Sequence, residues 1–180
     1  MNINPKSGKF SEQANALGLN DFKSLSSWIQ KLPYGRNKSR DDFGLVFTEL
    51  KGTCSSKHAL VKAIAEENEW NNLELCLAIF WMNGDNTPKA KPILANYKLA
   101  ELPEAHTYLR VNGAYVDLTG IQSRISEADL EDEIPIEAEG VISLKEAMHK
   151  GYIAMWCEEC EPEYSSEEIW KIREACIAAL

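Results

Sequence analysis

The stretch His106-Thr-Tyr-Leu-Arg-Val-Asn-Gly-Ala-Tyr-Val-Asp-Leu-Thr119 constrains the fold more than any other part of the chain. Apolar and polar residues alternate on both sides of Asn112-Gly113, and alternation with period two is the mark of a strand. Asn-Gly between two such segments closes a tight hairpin, because a type I′ turn needs positive φ at both central residues. That turn also sets the register, pairing Val111 with Ala114 and Tyr108 with Asp117. One face then carries Thr107, Leu109, Val111, Ala114, Val116 and Leu118, a core face. The other carries His106, Tyr108, Arg110, Tyr115, Asp117 and Thr119. His106 and Asp117 become same-face diagonal neighbours, about 7–8 Å apart across the ladder and within side-chain reach.

A second segment, Lys51-Gly52-Thr53-Cys54-Ser55-Ser56-Lys57-His58-Ala59-Leu60, sets a cysteine where a helix begins. His58, Leu60, Val61, Ile64 and Ala65 follow at helical spacing, which predicts a helix through about Glu67. Gly52-Thr53 interrupts whatever precedes, and Thr53 is a suitable N-cap. A thiol in the first helical turn meets unsatisfied N–H groups and the positive end of the macrodipole, and both favour the reactive thiolate. Cys54, His106 and Asp117 therefore match a thiol nucleophile, its base and the acid that orients the base.

These residues resemble the transglutaminase-like superfamily of papain-type cysteine enzymes, in which Gly-x-Cys opens a helix, a His begins a strand, and an Asp ends the next strand. The matching positions are Gly52-Thr53-Cys54, His106-Thr107-Tyr108 and Asn112 through Thr119, so the resemblance spans about residues 51–119. Asp117-Leu118-Thr119 resembles the family's usual Asp-Pro-Thr, with leucine in place of proline. The resemblance implies a papain/transglutaminase-like α+β fold of helices packed on an antiparallel sheet. It also implies acyl transfer from an amide or peptide carbonyl through a Cys54 thioester, with protease, amidase, deamidase or cross-linking activity all open; hydrolysis is preferred because water is always present and a compact domain shows no obvious extra amine site. Tyr34, in Leu32-Pro33-Tyr34-Gly35-Arg36, offers a polar tip upstream of Cys54 as a substrate or oxyanion contact, beside the Cys54 backbone N–H. No metal or organic cofactor is required. The rival from a different class is a protein- or peptide-binding module that kept the scaffold without turnover.

Other histidines and cysteines carry blander readings. His58 lies four residues after Cys54 and competes for the role of base. A base on the nucleophile's own helix leaves no cleft for a substrate, so His58 is read as a packing or supporting residue. His149 is read as a surface residue near the end of a short helix. Cys157-Glu-Glu-Cys160 has the spacing of half a zinc site, but structural zinc needs four ligands. Two partly buried thiols are the simpler reading. The stretch Glu127 to Glu139 carries seven acidic residues and no Lys or Arg, which reads as a solvated loop able to repel acidic substrates.

Length and charge bound the rest. At 180 residues the chain suits one domain with a sizeable core. A net charge of −9 argues against a nucleic-acid partner, since phosphate binding needs a basic face. The first ten residues lack a signal-peptide core, and the longest apolar run, Leu75 to Met82, is too short to span a bilayer. A cytoplasmic protein with reduced thiols is expected, acting on a peptide, a protein or a small amide. Leu75 to Met82 predicts a central strand buried on both faces. Phe22, Leu25, Trp28, Ile29 and Leu32 predict a helix capped by Asn20 or Asp21 and stopped by Pro33. Asn86 to Pro92 reads as a loop. Capping-box spacing at Ser143-x-x-Glu146 predicts a short helix ending near Gly151. The same spacing at Ser165-x-x-Glu168 predicts a terminal helix with the stripe Ile169, Ile172, Cys176, Ile177 and Leu180.

Overall fold

The structure is a computed structural model and describes residues 1–120, 123–160 and 163–180. The elements run α1 (Lys9–Ala16), α2 (Phe22–Lys31), α3 (Leu45–Glu49), α4 (Cys54–Glu67), β1 (Leu73–Asn83), α5 (Lys91–Asn96), β2 (Glu101–Val111), β3 (Ala114–Val116), β4 (Glu131–Ile136), α6 (Val141–Cys160) and α7 (Ser166–Ala178). The class is α+β. The sheet is antiparallel, four-stranded and ordered β3-β2-β1-β4. Among the described residues, no helix is long and apolar enough to cross a membrane. The chain divides into two compact units. The first comprises Met1–Leu77, Thr107–Gln122 and Ile134–Ile142, and the second Ala78–His106, Ser123–Glu133 and Ser143–Leu180.

In the first unit the expected helices form where their caps lie. Asp21 and Ser24 exchange side-chain and backbone bonds at the start of α2, and Thr53 and Ser56 do so at the start of α4. Reciprocal capping of this kind satisfies two of the N–H groups a helix start leaves open. Helix α1 has no cap of its own. The Glu67 carboxylate, at the far end of α4, accepts from Phe10 N (2.9 Å) and Ser11 N (2.7 Å) and does the capping from a distance. A side chain at Gly8 would fall 2.3 Å from Glu67 Cδ, so glycine is what lets the carboxylate approach. Trp28 of α2 stacks on Phe47 of α3 with ring centres 5.6 Å apart.

The hairpin forms in the expected register, pairing Leu109 with Val116, Arg110 with Tyr115 and Val111 with Ala114. Asn112 and Gly113 have φ of 51° and 79°, the two left-handed residues a type I′ turn demands. The Asn112 N–H and side chain are tied to Asn72 O and Nδ2 at 2.8 and 2.9 Å, which anchors the turn to the approach to β1. Pairing stops at Val116, so Asp117 lies beyond the ladder rather than opposite Tyr108. The second expectation to fail is one-sidedness: Tyr108 and His106 are as buried as Thr107 and Leu109.

In the second unit, Phe80, Met82, Leu94, Leu102, Ile153, Ile169, Ile172 and Cys176 build the core. Helix α7 starts at its predicted Ser165–Glu168 capping box and buries Ile169, Ile172 and Cys176. Helix α6 departs from expectation. It begins at Val141, leaves Ser143 inside rather than at the cap, and runs through Gly151 to Cys160. Glycine inside a helix costs about 1 kcal/mol. Burial of Ile153 with Trp156 and Cys157 packed against the same core outweighs that cost. His149 is consequently buried, with Nε2 2.8 Å from Pro103 O and its ring against Trp170, not at a helix end in solvent. Pro92 sits in the first turn of α5, so the expected loop over Asn86 to Pro92 ends two residues early. The acidic stretch is solvated as expected, but it is not all loop: Glu131 to Pro135 form most of the edge strand β4.

Candidate functional site

Helix α4 opens at Cys54, with Thr53 as its N-cap. Gly52 is tied to the 33–35 stretch by two backbone bonds, Gly52 N to Pro33 O and Gly35 N to Gly52 O, each 3.2 Å. This short parallel bridge sets Tyr34 opposite Gly52, two residues from the thiol. Cys54 is 5 % exposed, and its helix is buried on nearly every face through Ala65. Ser55 Oγ accepts from Thr107 Oγ1 at 3.3 Å, which fastens β2 to the first turn of α4.

Both His58 nitrogens meet backbone groups. Its Nδ1 lies 2.8 Å from Cys54 O, and its Nε2 accepts the Leu118 N–H at 2.6 Å. An acceptor at Nε2 puts the proton of the neutral ring on Nδ1, which donates to the Cys54 carbonyl. With both nitrogens committed, His58 carries no proton to or from the thiol. It is a strut between the Cys54 peptide and the segment after β3. The Asp117 carboxylate stands 3.5 Å from His58 Nε2, and its Oδ1 accepts Thr119 N at 2.7 Å. Because β3 ends at Val116, strand alternation does not aim Asp117; the turn and the His58 strut do.

Lys57, which the sequence reading passed over, is the largest surprise. Its side chain is fully buried and its ammonium donates to Leu32 O at 2.8 Å and Thr119 O at 2.5 Å. A side chain at Gly52 would fall 2.9 Å from both Lys57 Cγ and Ser56 Oγ, so this glycine makes room for the lysine stem and the cap together. Burial pulls the Lys57 ammonium down to about 8, against the pull upward of the Asp117 carboxylate and Cys54. One sequence signal was available: a cation in the first turn opposes the macrodipole, an unfavourable placement that calls for a reason.

His106 lies near the middle of β2 in the second unit, 3 % exposed, with its ring edge-on to Phe80 at 6.0 Å. That unit also holds a buried charge cluster. Arg173 makes two 2.6 Å bonds to the Glu104 carboxylate, beside Lys145 and His149. Burial alone would raise the Glu104 carboxyl; Arg173, with His149 and Lys145, outweighs it and holds the group at about 2. Burial lowers His149, against the upward pull of the Glu104 carboxylate. A cleft of about 420 Å³ between α6 and α7 is lined by Lys150, Ile153, Ser166, Glu167, Trp170 and Lys171, none of them a thiol or histidine.

Cys157 is half-buried, its thiol raised by that burial and by Cys160, whereas Cys160 is exposed rather than partly buried. Among the described residues, no three His, Cys, Asp or Glu side chains group as metal ligands. No family model, no curated protein and no solved structure matches the chain.

Proposed function

We propose that the chain is a cysteine-dependent acyl-transfer enzyme of transglutaminase-like type, with Cys54 as nucleophile, His106 as base and Asp117 as the acid that orients it. The observation that carries this reading is the placement of Cys54 at the first residue of a capped helix to which the Asp117 segment is tied through His58. The engagement of both His58 nitrogens supports His106 over its rival as base. The Cys54 thiolate attacks an amide or peptide carbonyl and a C–S bond forms. The C–N bond then breaks, and the departing amine takes the proton held by His106. Water, deprotonated by His106, attacks the thioester and releases the acid with the thiol restored. The Cys54 backbone N–H at the helix start and the nearby Tyr34 are the oxyanion contacts assigned in this reading.

The 5 % exposure of Cys54 favours a second reading, a protein- or peptide-binding module without turnover. An electrophilic amide probe followed by peptide mass spectrometry separates the two. The enzyme reading expects labelling of Cys54 ahead of Cys76, Cys157, Cys160 and Cys176 at neutral pH, abolished by His106→Ala and retained in a folded His58→Gln variant. Labelling confined to exposed Cys160 sinks the enzyme reading.

A further inference from the structure

A lysine with no exposed atoms demands an account. An ammonium taken out of water costs several kcal/mol unless partners replace its hydration. Lys57 receives two partners, and both are neutral carbonyls, Leu32 O and Thr119 O. Its charge is thus solvated by dipoles and keeps its field. Two groups stand in that field: Cys54, three residues earlier on the same helix, and Asp117, two residues before the Thr119 carbonyl that Lys57 grips. Replacing Lys57 by an apolar side chain would be the cheaper way to fill this wall if packing were its only task.

We propose that Lys57 is a positioning residue of the Cys54 site: a fixed buried cation that favours the Cys54 thiolate and clamps the Asp117-Leu118-Thr119 segment over the first turn of α4. The inference rests on Cys54 being the nucleophile, and it names how that nucleophile is kept ionised. The helix start contributes through its open N–H groups, but within α4 the Thr53–Ser56 box already uses part of that potential. A full charge held by two carbonyls adds to it without moving. The clamp works on the same atoms. Thr119 O is held by Lys57, Thr119 N by Asp117 Oδ1, and Leu118 N by His58 Nε2, so three consecutive residues after β3 are fastened to two consecutive residues of α4 or to one another. The titratable groups around the ammonium are Cys54 and His58 on α4 and Asp117 from the segment after β3, with both His58 nitrogens facing backbone partners. Tyr34, on the stretch bridged to Gly52, and Lys51, whose side chain lies against Gly35, are further titratable side chains near this end of α4.

Coupling between two charges is reciprocal: whatever Lys57 does to the titration of Cys54, Cys54 does to the titration of Lys57. That gives a test read at the lysine itself. Lysines labelled with ¹³C at the ε carbon are titrated by NMR in the wild-type protein and in Cys54→Ser, with the Lys57 signal assigned by its loss in Lys57→Arg. The expected result is a Lys57 midpoint lower in Cys54→Ser, where no thiolate forms. Equal midpoints overturn the proposal. A second measurement reads the thiol. The rate of iodoacetamide alkylation of Cys54 is followed against pH in wild type, Lys57→Met and Lys57→Arg. Lys57→Met should react on the order of tenfold more slowly at pH 7 and reach the wild-type plateau at higher pH. Lys57→Arg should keep the wild-type midpoint. A folded Lys57→Met with an unshifted midpoint overturns the proposal. Failure of the amide probe to label Cys54 removes the enzyme reading but does not touch the NMR result, so the two ideas fail separately.

Discussion

The two units bury charge in opposite ways. In the second, Glu104 and Arg173 face each other directly through two bonds of 2.6 Å, and Glu174 takes a further guanidinium N–H. Glu104 and Arg173 meet at contact, which is how a buried pair recovers the cost of leaving water. In the first, Lys57 is held by carbonyl oxygens, and the Asp117 carboxylate nearby is committed to Thr119 N. A matched pair at contact is an anchor: it fixes β2 against α7 and has nothing left to give. A cation held only by dipoles keeps an outward field, and that field is available to a neighbouring group that becomes negative during reaction. Glu104 and Arg173 are thus matched at contact, whereas Lys57, in the role proposed for it, is matched only by dipoles.

Breaking the anchor should produce the larger effect. Glu104→Gln removes one partner and leaves the Arg173 guanidinium buried against a neutral amide, a change that costs about 3–5 kcal/mol. Urea unfolding followed by tryptophan fluorescence would measure it. Acid reaches the same pair by another route. The folded Glu104 carboxyl, at about 2, lies below its ordinary 4.5, so the unfolded chain binds the extra proton first. The pair's contribution is complete above pH 4.5 and is lost as pH falls toward 2. Glu104→Gln should therefore flatten the acid limb of the stability curve. A variant as stable as wild type at pH 7 would show that the pair merely breaks even.

Removing Lys57 should do much less to stability, and with a different pH signature. Lys57→Met gives up two hydrogen bonds but also the cost of a buried charge, so the net change at pH 7 should stay within about 1–2 kcal/mol of wild type. The folded value of about 8 lies below the ordinary 10.5, so between these values the unfolded chain binds more protons than the native one. Wild-type stability should thus gain on Lys57→Met as pH rises from 8 to 10.5, and a constant difference across that window would contradict the buried-ammonium account.

Why one cluster and not the other could be foreseen follows from the range of the signals involved. Helix α4 and the β2–β3 hairpin were legible because their determinants are adjacent in the chain: Thr53 with Ser56, and Asn112 with Gly113. Tertiary partners are not written locally. Helix α1 is capped by Glu67, more than fifty residues away; α6 crosses Gly151 because its far half packs on a core; His149 is drawn inside by Pro103 and Trp170. The surroundings of Cys54 divide in the same way. Its place at a helix start was legible. The occupation of His58 and the burial of Lys57 were not, because their partners Leu118, Leu32 and Thr119 come from remote segments. Asp117 marks the limit of the period-two argument, which holds only as far as Val116, where the ladder ends.

The smallest effect gives the sharpest form of the comparison, because the same substitution can be made in both units. Thr53 caps α4 and Ser165 caps α7, and each sits in a reciprocal box with the residue three positions on. Thr53→Ala and Ser165→Ala should each cost about 1 kcal/mol, since each orphans a helix-start N–H. Their chemical consequences should differ. Helix α7 begins with serine and two glutamates and carries no thiol in its first turn. Helix α4 begins with the thiol itself, and Thr53 Oγ1 accepts the Ser56 N–H at 3.3 Å while Ser56 Oγ accepts the Thr53 N–H at 2.9 Å. Losing the first bond frees an N–H that then competes for water and loosens the turn holding Cys54. The alkylation midpoint of Cys54 should move by a few tenths of a unit in Thr53→Ala, well short of the Lys57→Met shift, because a frayed dipole end is worth less than a full charge. Ser165→Ala should leave that midpoint where it was. A Thr53→Ala shift as large as that of Lys57→Met would assign thiol activation to the helix start and reduce Lys57 to a clamp.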